Sequence, residues 1–147
     1  ALTGLWNWDE PREKIVGRFV RSILLGISLL ENSYVRLFEE LFSVRIPEVR
    51  LSGGGSRSRF WNELRAAVYG KPVKVFGERV GVGTLVPAIL KAGVCKSVEE
   101  VEKRFLQVID VVEPDPKLTE KYRGLSERFW DAWRDLRNLY HLLHGGA

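Results

Sequence analysis

Residues 51–61 read LSGGGSRSRFW and place three glycines between two segments of different periodicity. Before the glycines, residues 48–52 alternate as a short strand does, and after them an apolar stripe recurs at helical spacing until Gly70. Three interpretations compete for this stretch: a flexible linker, the signature of a transporter ATPase, and a glycine turn that lets a ligand approach the backbone.

The surroundings of the glycines decide between these interpretations. A linker joins regions that fold separately, whereas these glycines stand between a strand and a helix. The ATPase signature works beside a phosphate loop, G-x-x-x-x-G-K-[ST], and the Gly70-Lys71 pair is followed by Pro72. What remains is a turn that aims free backbone N–H groups at an anion or a polar ring edge. A tight turn that needs glycine only for its backbone angles stays open as the alternative.

The elements around the turn predict an α/β fold that is rich in helix. Apolar residues at spacings of three and four predict one long, mostly buried helix over about 11–42. With Ser58 as its cap, the helix after the glycines is expected to end at Gly70, and a second strand is expected over 71–76. Two parallel strands joined by a crossover helix are the simplest arrangement.

The second half of the chain is expected to be mainly helical. A third helix is predicted over about 84–92. Ser97 and Glu100 have the spacing of a capping box, which predicts a short helix to about Val108. After a proline-rich break, an amphipathic helix is expected over 119–144.

The composition is typical of one globular domain: 147 residues, 45% hydrophobic and 29% charged. No run approaches the roughly 20 apolar residues of a membrane span, and residues 1–9 lack the pattern of a secretory signal. We therefore expect a cytoplasmic protein with no membrane partner. The net charge of +4 permits nucleic-acid binding, but basic and acidic residues are interleaved, which predicts a mixed, solvated surface and no nucleic-acid partner.

Metal and thiol chemistry are not expected from the residue types present. Cys95 is the sole cysteine, so it can form neither an internal disulfide nor a cysteine metal cluster. His141 and His144 stand one turn apart near the end of the last helix, but two ligands fall short of a usual zinc site. Their position is the one that a helix dipole favours for cations.

Two stretches carry a resemblance to a known family. SGGGSRSRFWNEL at 52–64, followed by GKPV at 70–73, resembles the C-terminal nucleotide-binding motif of the FGGY carbohydrate kinases. RSILLGIS at 21–28 is similar to a helix of that family written RAVLEGIA, and the likeness continues through 94–100. The resemblance covers nearly the whole chain. It implies part of a ribonuclease-H-like domain of the actin and hexokinase superfamily, with about two parallel strands.

The resemblance also implies a ligand and its contacts. In that family ATP lies in the cleft between two such domains, and the glycine turn of the second domain lies against the ribose and the α-phosphate. ATP or ADP with Mg²⁺ is thus the implied cofactor, and a xylulose-like sugar is the family's default substrate. Carried over by position, the nucleotide-binding residues are Gly53, Gly54, Gly55, Ser56, Ser58 and Asn62.

Departures from the family pattern leave a second function open. Ala67 stands where the family's L-R-A-D has its Asp, and Val86 and Pro87 stand at small-residue positions of its E-x-x-A-L-G-A-A segment. These residues put the fit of a nucleotide in question. They are compatible with a degenerate kinase remnant that binds no nucleotide and acts as an interaction or structural protein.

No catalytic residue is predicted in this chain. The family's general base lies in a G-x-G-D-x-x-A-G segment and its phosphate-binding hairpin reads D-x-G-T, and neither occurs here. Phosphoryl transfer needs a positioned nucleophile and Mg²⁺ bridging the phosphates. We therefore expect residues 1–147 to form a single, N-terminally incomplete domain that is inactive without an N-terminal part. Two strands with exposed edges also predict a homo-oligomer, most simply a dimer, or pairing with that part.

Overall fold

The computed structural model describes residues 10–77 and 82–145 of the chain. Its strands form one sheet in the order β1-β2-β3, with β1 parallel to β2 and β2 antiparallel to β3. The predicted helix-rich α/β fold and its parallel strand pair are confirmed. The elements in chain order are α1 (Arg12–Phe42), β1 (Val49–Leu51), a short 3₁₀ helix (Gly54–Arg57), α2 (Arg59–Tyr69), β2 (Val73–Phe76), α3 (Val82–Lys91), α4 (Val98–Phe105), β3 (Val108–Val112) and α5 (Pro116–His144).

The main core lies between one face of the sheet and α2. Val73 and Val75 of β2 are buried against this helix, whose Leu64 and Ala67 belong to the same cluster. Leu29 of α1 and Tyr122 of α5 close the cluster on its flanks. α2 is therefore the central helix, because both long helices pack against it.

Part of the opposite face of the sheet lies against α4. Successive side chains of a strand point to opposite faces, so Arg50 points away from the core that its neighbours in β1 join. Its guanidinium donates to Glu102 of α4 at 2.8 Å and lies 5.9 Å from the centroid of the Phe76 ring. Val101 of α4 is fully buried beneath this pair. The second layer is thus smaller and more polar at its rim.

The helix termini follow the predicted capping chemistry. The Ser58 hydroxyl accepts from the Trp61 amide at 3.3 Å, and Gly70 ends α2 with a left-handed φ of 62°. The Ser97 hydroxyl likewise accepts from the Glu100 amide at 3.3 Å. These short-range signals therefore set the starts of α2 and α4 and the end of α2.

A third strand follows the predicted short helix, in a stretch to which the sequence analysis assigns no element. The expected helix over 97–108 is too long, because α4 ends at Phe105 and Val108–Val112 pairs with β2. This strand is rich in β-branched residues, which fit a pleated sheet better than a helix. The charged residues of α4 carry a helical pattern up to the boundary, so periodicity alone does not reveal where the conformation changes.

The burial predicted for α1 is wrong, although its predicted bounds agree within one residue. Ser28, Leu29 and Asn32 are its buried residues, and most of its apolar stripe is exposed. Periodicity shows which side chains share a face, but burial needs a partner for that face. The exposed large apolar residues of α1 are Val16, Phe19, Val20, Ile23, Ile27, Leu30, Tyr34, Leu37, Phe38, Leu41 and Phe42.

Replacing Ala67 by Asp is expected to destabilise the protein by about 3 kcal/mol or more, because it buries a carboxylate in an apolar cluster. Ala67 has no exposed surface and lies in the main core. Urea unfolding measures the loss. Ala132→Asp, at an exposed position of α5, is the control and should change stability little. Equal stability of the two variants would contradict the assigned core.

Candidate nucleotide-binding turn

The turn after β1 depends on the backbone of Gly53. This residue has φ 85° and ψ −172°, a combination that is open essentially to glycine alone. Its carbonyl accepts from the Ser56 amide at 3.1 Å and from the Ser56 hydroxyl at 2.7 Å. The strand therefore enters the short 3₁₀ helix through a reversal that a side chain at position 53 would strain.

Gly54 and Gly55 present backbone to the surface. Both are exposed, and a Cβ on Gly54 would meet nothing within 4 Å. Their N–H groups belong to the first turn of the 3₁₀ helix, where amides lack an intrahelical acceptor. A Cβ on Gly55 would lie 3.1 Å from the Trp61 ring, so glycine there permits close packing. This geometry suits an anionic group that approaches the backbone closely.

Ser56 and Asn62 lie beneath the turn and support it from inside. They are 6% and 2% exposed, respectively. The Asn62 amide nitrogen donates to the Ser56 carbonyl at 2.7 Å. Its buried Oδ1 has no hydrogen-bond partner among the described residues. The resemblance implied a site that contains both residues and the glycines, and in the structure the two residues together support the turn from beneath.

Ser58 lies at the surface, at the junction of the turn with α2. Its hydroxyl serves as the cap of that helix. The neighbouring Arg59 donates to Glu63 at 3.0 Å and to both carboxylate oxygens of Asp110 on β3 at 2.8 and 2.9 Å. Ser58 is thus open to a ligand, whereas Arg59 is held in an exposed ion network.

A polar cluster behind the turn was not predicted from the sequence. Trp61 Nε1 donates to the Ser28 hydroxyl at 3.1 Å, and the Arg65 guanidinium lies 3.7 Å from the centroid of the Trp61 ring. Arg65 also donates twice to Glu31, and Tyr69 donates to the same carboxylate at 2.5 Å. The contacting residues belong to α1 and α2 and are more than 30 positions apart in the sequence. No local sequence pattern therefore predicts their contact.

The Tyr69 phenol is held in its neutral form. Burial, reinforced by its hydrogen bond to the Glu31 carboxylate, raises the pKa of Tyr69 well above its usual value. A neutral phenol can donate to Glu31 across the ordinary pH range. The cluster therefore keeps one anion, Glu31, facing one cation, Arg65, and one neutral donor.

A cavity of about 260 Å³ opens at the carboxyl ends of the parallel strands, beside the turn. Ligands in open α/β sheets bind at this edge. Val86, one of the departures from the family pattern, lies in its wall, whereas Pro87 is exposed on α3. The lining residues are Arg50, Leu51, Ser52, Phe76, Gly83, Val86, Val98, Val101, Glu102 and Leu106.

Within residues 10–77 and 82–145, no group of three His, Cys, Asp or Glu side chains is placed to hold a metal ion. His141 and His144 lie at the exposed end of α5, where the His144 ring is 4.5 Å from that of Tyr140. No helix in the described part of the chain is long and apolar enough to cross a membrane.

Comparison with known proteins links the turn to one family. The model of the FGGY family of carbohydrate kinases, C-terminal domain, matches residues 5–92, a range that contains the glycine turn. An autoinducer-2 kinase of Escherichia coli (strain SMS-3-5 / SECEC) is 29% identical over 117 residues, which are 78% of this chain and 22% of the relative. A xylulose kinase of Staphylococcus epidermidis is 24% identical over 123 residues, 80% of this chain and 25% of the relative.

Solved structures share the fold. Xylulose kinase from Rhodospirillum rubrum superposes with a TM-score of 0.73 at 23% identity, over 95% of this chain and 28% of that one. Ligand-bound xylulose kinase from Lactobacillus acidophilus gives 0.68 at 20% identity, over 92% and 29%. This chain therefore has the fold of the matching part of these xylulose kinases. This chain spans about a quarter of the length of the relatives it matches.

Gly53→Ala is expected to lower the stability by about 1–3 kcal/mol, because alanine must adopt a strained backbone conformation at φ 85°. Thermal unfolding measures the change. Gly54→Ala is the matched control: position 54 has room for a Cβ and no positive φ, so a change within about 0.5 kcal/mol is expected. A Gly53→Ala protein as stable as the control would show that the turn does not need this conformation.

Proposed function

The chain belongs to the FGGY family of carbohydrate kinases, and we propose that it is the nucleotide-binding, C-terminal part of an ATP-dependent sugar kinase. The observation that carries the proposal is the glycine turn at the carboxyl end of β1. There the exposed Gly54 and Gly55 provide the first-turn amides of a short helix, and Ser52, just before them, lines a cavity at the edge of the sheet. Such amides bind the phosphate oxygens of a nucleotide without any side-chain charge.

The exposure of each residue decides whether we propose a direct or an indirect role for it in nucleotide binding. Gly53, Gly54 and Gly55 would lie against the ribose and the α-phosphate, with Ser58 at the rim of the site. Ser56 and Asn62 would act on the nucleotide indirectly, since both are buried and brace the turn. Mg²⁺ would arrive with ATP or ADP, held by the phosphates, because no described side-chain cluster can hold a metal alone. When bound, it neutralises phosphate charge.

Phosphoryl transfer is proposed for the longer protein and not for residues 1–147 alone. The family segments G-x-G-D-x-x-A-G and D-x-G-T are absent from the sequence, and the chain corresponds to about a quarter of its relatives' length. We therefore propose an N-terminally incomplete domain that needs an N-terminal part for catalysis. The relatives are named for autoinducer-2 and xylulose. A xylulose-like sugar is the proposed substrate class, and the cytoplasm the proposed location.

Two surfaces of the domain have the character of contact surfaces for another polypeptide. β1 pairs with β2 on one side only among the described strands, and the apolar stripe of α1 is exposed along its length. An open strand edge and an uncovered apolar helix face both favour association. We propose that a second copy of the chain or the N-terminal part of the kinase covers them.

A non-catalytic role is the second candidate, and two positions favour it. Ala67 lies fully in the core, and the branched side chain of Val86 lines the cavity at the carboxyl ends of the parallel strands. Under this alternative, the domain is a degenerate kinase remnant whose surfaces serve interaction or structure. It predicts a stable fold with no affinity for nucleotide.

Calorimetric titration with ADP and Mg²⁺ separates the two candidates. The kinase proposal expects weak binding, with a Kd in the roughly micromolar to millimolar range. Gly54→Asp should abolish it without unfolding the protein, because the carboxylate would repel phosphate where there is room for a side chain. Gly17→Asp adds the same charge at an open position of α1, about 16 Å along the helix from Ser28, which contacts Trp61 next to the turn. This variant should bind ADP as the unsubstituted protein does.

Absence of heat at millimolar ADP with a folded protein would favour the remnant. Equal binding by the Gly54→Asp and Gly17→Asp variants would place the nucleotide elsewhere.

Multi-angle light scattering tests the proposed association. The chain alone is expected to form a dimer or larger species at micromolar concentration, because its apolar α1 face is otherwise open to water. Ile27→Lys, in the middle of that face, should shift the population to monomer. Lys14→Ala, an exposed polar position of the same helix, is the control. A folded monomer that binds no hydrophobic dye would contradict the proposal.

A further inference from the structure

Arg65 lies at the back of the glycine turn and is almost fully buried. It is 6% exposed, and its guanidinium stacks on the Trp61 ring at 3.7 Å. Nη1 lies 3.5 Å from the carbonyl oxygen of Gly55, inside the turn itself. One side chain thus touches both the backbone of the turn and the aromatic ring that packs against it.

Trp61 transmits this contact to the turn. A Cβ on Gly55 would lie 3.1 Å from the Trp61 ring, so ring and turn are already in close contact. The indole N–H donates to the Ser28 hydroxyl of α1 at 3.1 Å, and this bond fixes the orientation of the ring. Because the ring packs closely on Gly55, a shift of the ring toward the turn has to move the backbone of the turn.

Glu31 of α1 holds Arg65 in place through a two-pronged contact. Arg65 Nε donates to one carboxylate oxygen at 2.9 Å, and Nη2 donates to the other at 2.7 Å. Tyr69 donates to the same carboxylate at 2.5 Å. Paired bonds of this kind set the orientation of the guanidinium plane as well as its position. The position of α1 is therefore connected to the turn through named bonds.

We infer that Arg65 is a positioning residue for the nucleotide turn, and that Glu31 on α1 sets its orientation. This inference rests on the proposed function for its consequence, a dependence of nucleotide affinity on the Glu31–Arg65 pair. Its mechanical part, the ordering of residues 53–57 by Trp61 and Arg65, is independent of the proposed function. The two parts can therefore be measured separately.

A second ion pair, between α1 and the segment that follows α2, supplies a matched control. Lys71, just beyond α2, donates to Glu39 of α1 at 2.9 Å, and this carboxylate also accepts from the Ile46 amide at 2.7 Å. These bonds lower the pKa of Glu39, that to Lys71 most. Glu39→Gln removes the same charge as Glu31→Gln, from the same helix, away from Trp61 and the turn.

Hydrogen exchange of the nucleotide-free protein tests the mechanical part. The Ser56 amide donates to the Gly53 carbonyl, so its exchange reports opening of the turn. Glu31→Gln is expected to speed this exchange by about tenfold, while Glu39→Gln leaves it unchanged even if it lowers the Tm. Arg65→Lys should match Glu31→Gln, since an ammonium cannot bridge both oxygens and stack flat. Unchanged Ser56 exchange in Glu31→Gln, or equal acceleration in Glu39→Gln, would overturn the inference.

ADP titration of the same proteins tests the consequence. Glu31→Gln should weaken binding by roughly tenfold relative to Glu39→Gln. Equal affinities would overturn the link to the nucleotide. If the unsubstituted protein binds no ADP, the proposed function fails, and the exchange result still decides whether Arg65 orders the turn.

Discussion

The conformation of Gly53 is the constraint on which the site depends. With φ 85° and ψ −172°, it turns the chain from β1 into the 3₁₀ helix and brings the Ser56 amide and hydroxyl onto its own carbonyl. Gly54 and Gly55 then face solvent, and α2 starts at a fixed place above the sheet. A residue with a side chain would favour another backbone region, and the turn would lose the conformation that leaves Gly54 and Gly55 exposed.

The support beneath the turn is polar, which is costly unless every group is paired. Asn62 is nearly fully buried, yet only its nitrogen has a described partner. Arg65 is better satisfied, with two bonds to Glu31 and a stacking contact to Trp61. Buried charge pairs add little net stability but define one geometry strongly. A binding turn benefits from this, because an ordered backbone loses less entropy when a ligand arrives.

The same architecture leaves much apolar surface uncovered. α1 touches α2 through its middle, around Leu29, and most of its apolar stripe is exposed. The end of α5 is similar, with Trp133, Leu136 and Tyr140 exposed. Faces of this kind are typical of interfaces. They agree with a chain that corresponds to about a quarter of its relatives' length.

The sequence alone determined the features that depend on neighbours along the chain. The bounds of α1 and α2, the Ser58 and Gly70 caps, the parallel strand pair and the glycine turn all follow from periodicity, capping and turn chemistry, and the GGG motif indicated the family. Tertiary structure decided the rest. β3 forms because β2 offers it an edge, α1 is exposed because nothing described covers it, and Arg65 meets Glu31 because two helices pack. Such outcomes depend on contacts between distant segments, which local patterns do not encode.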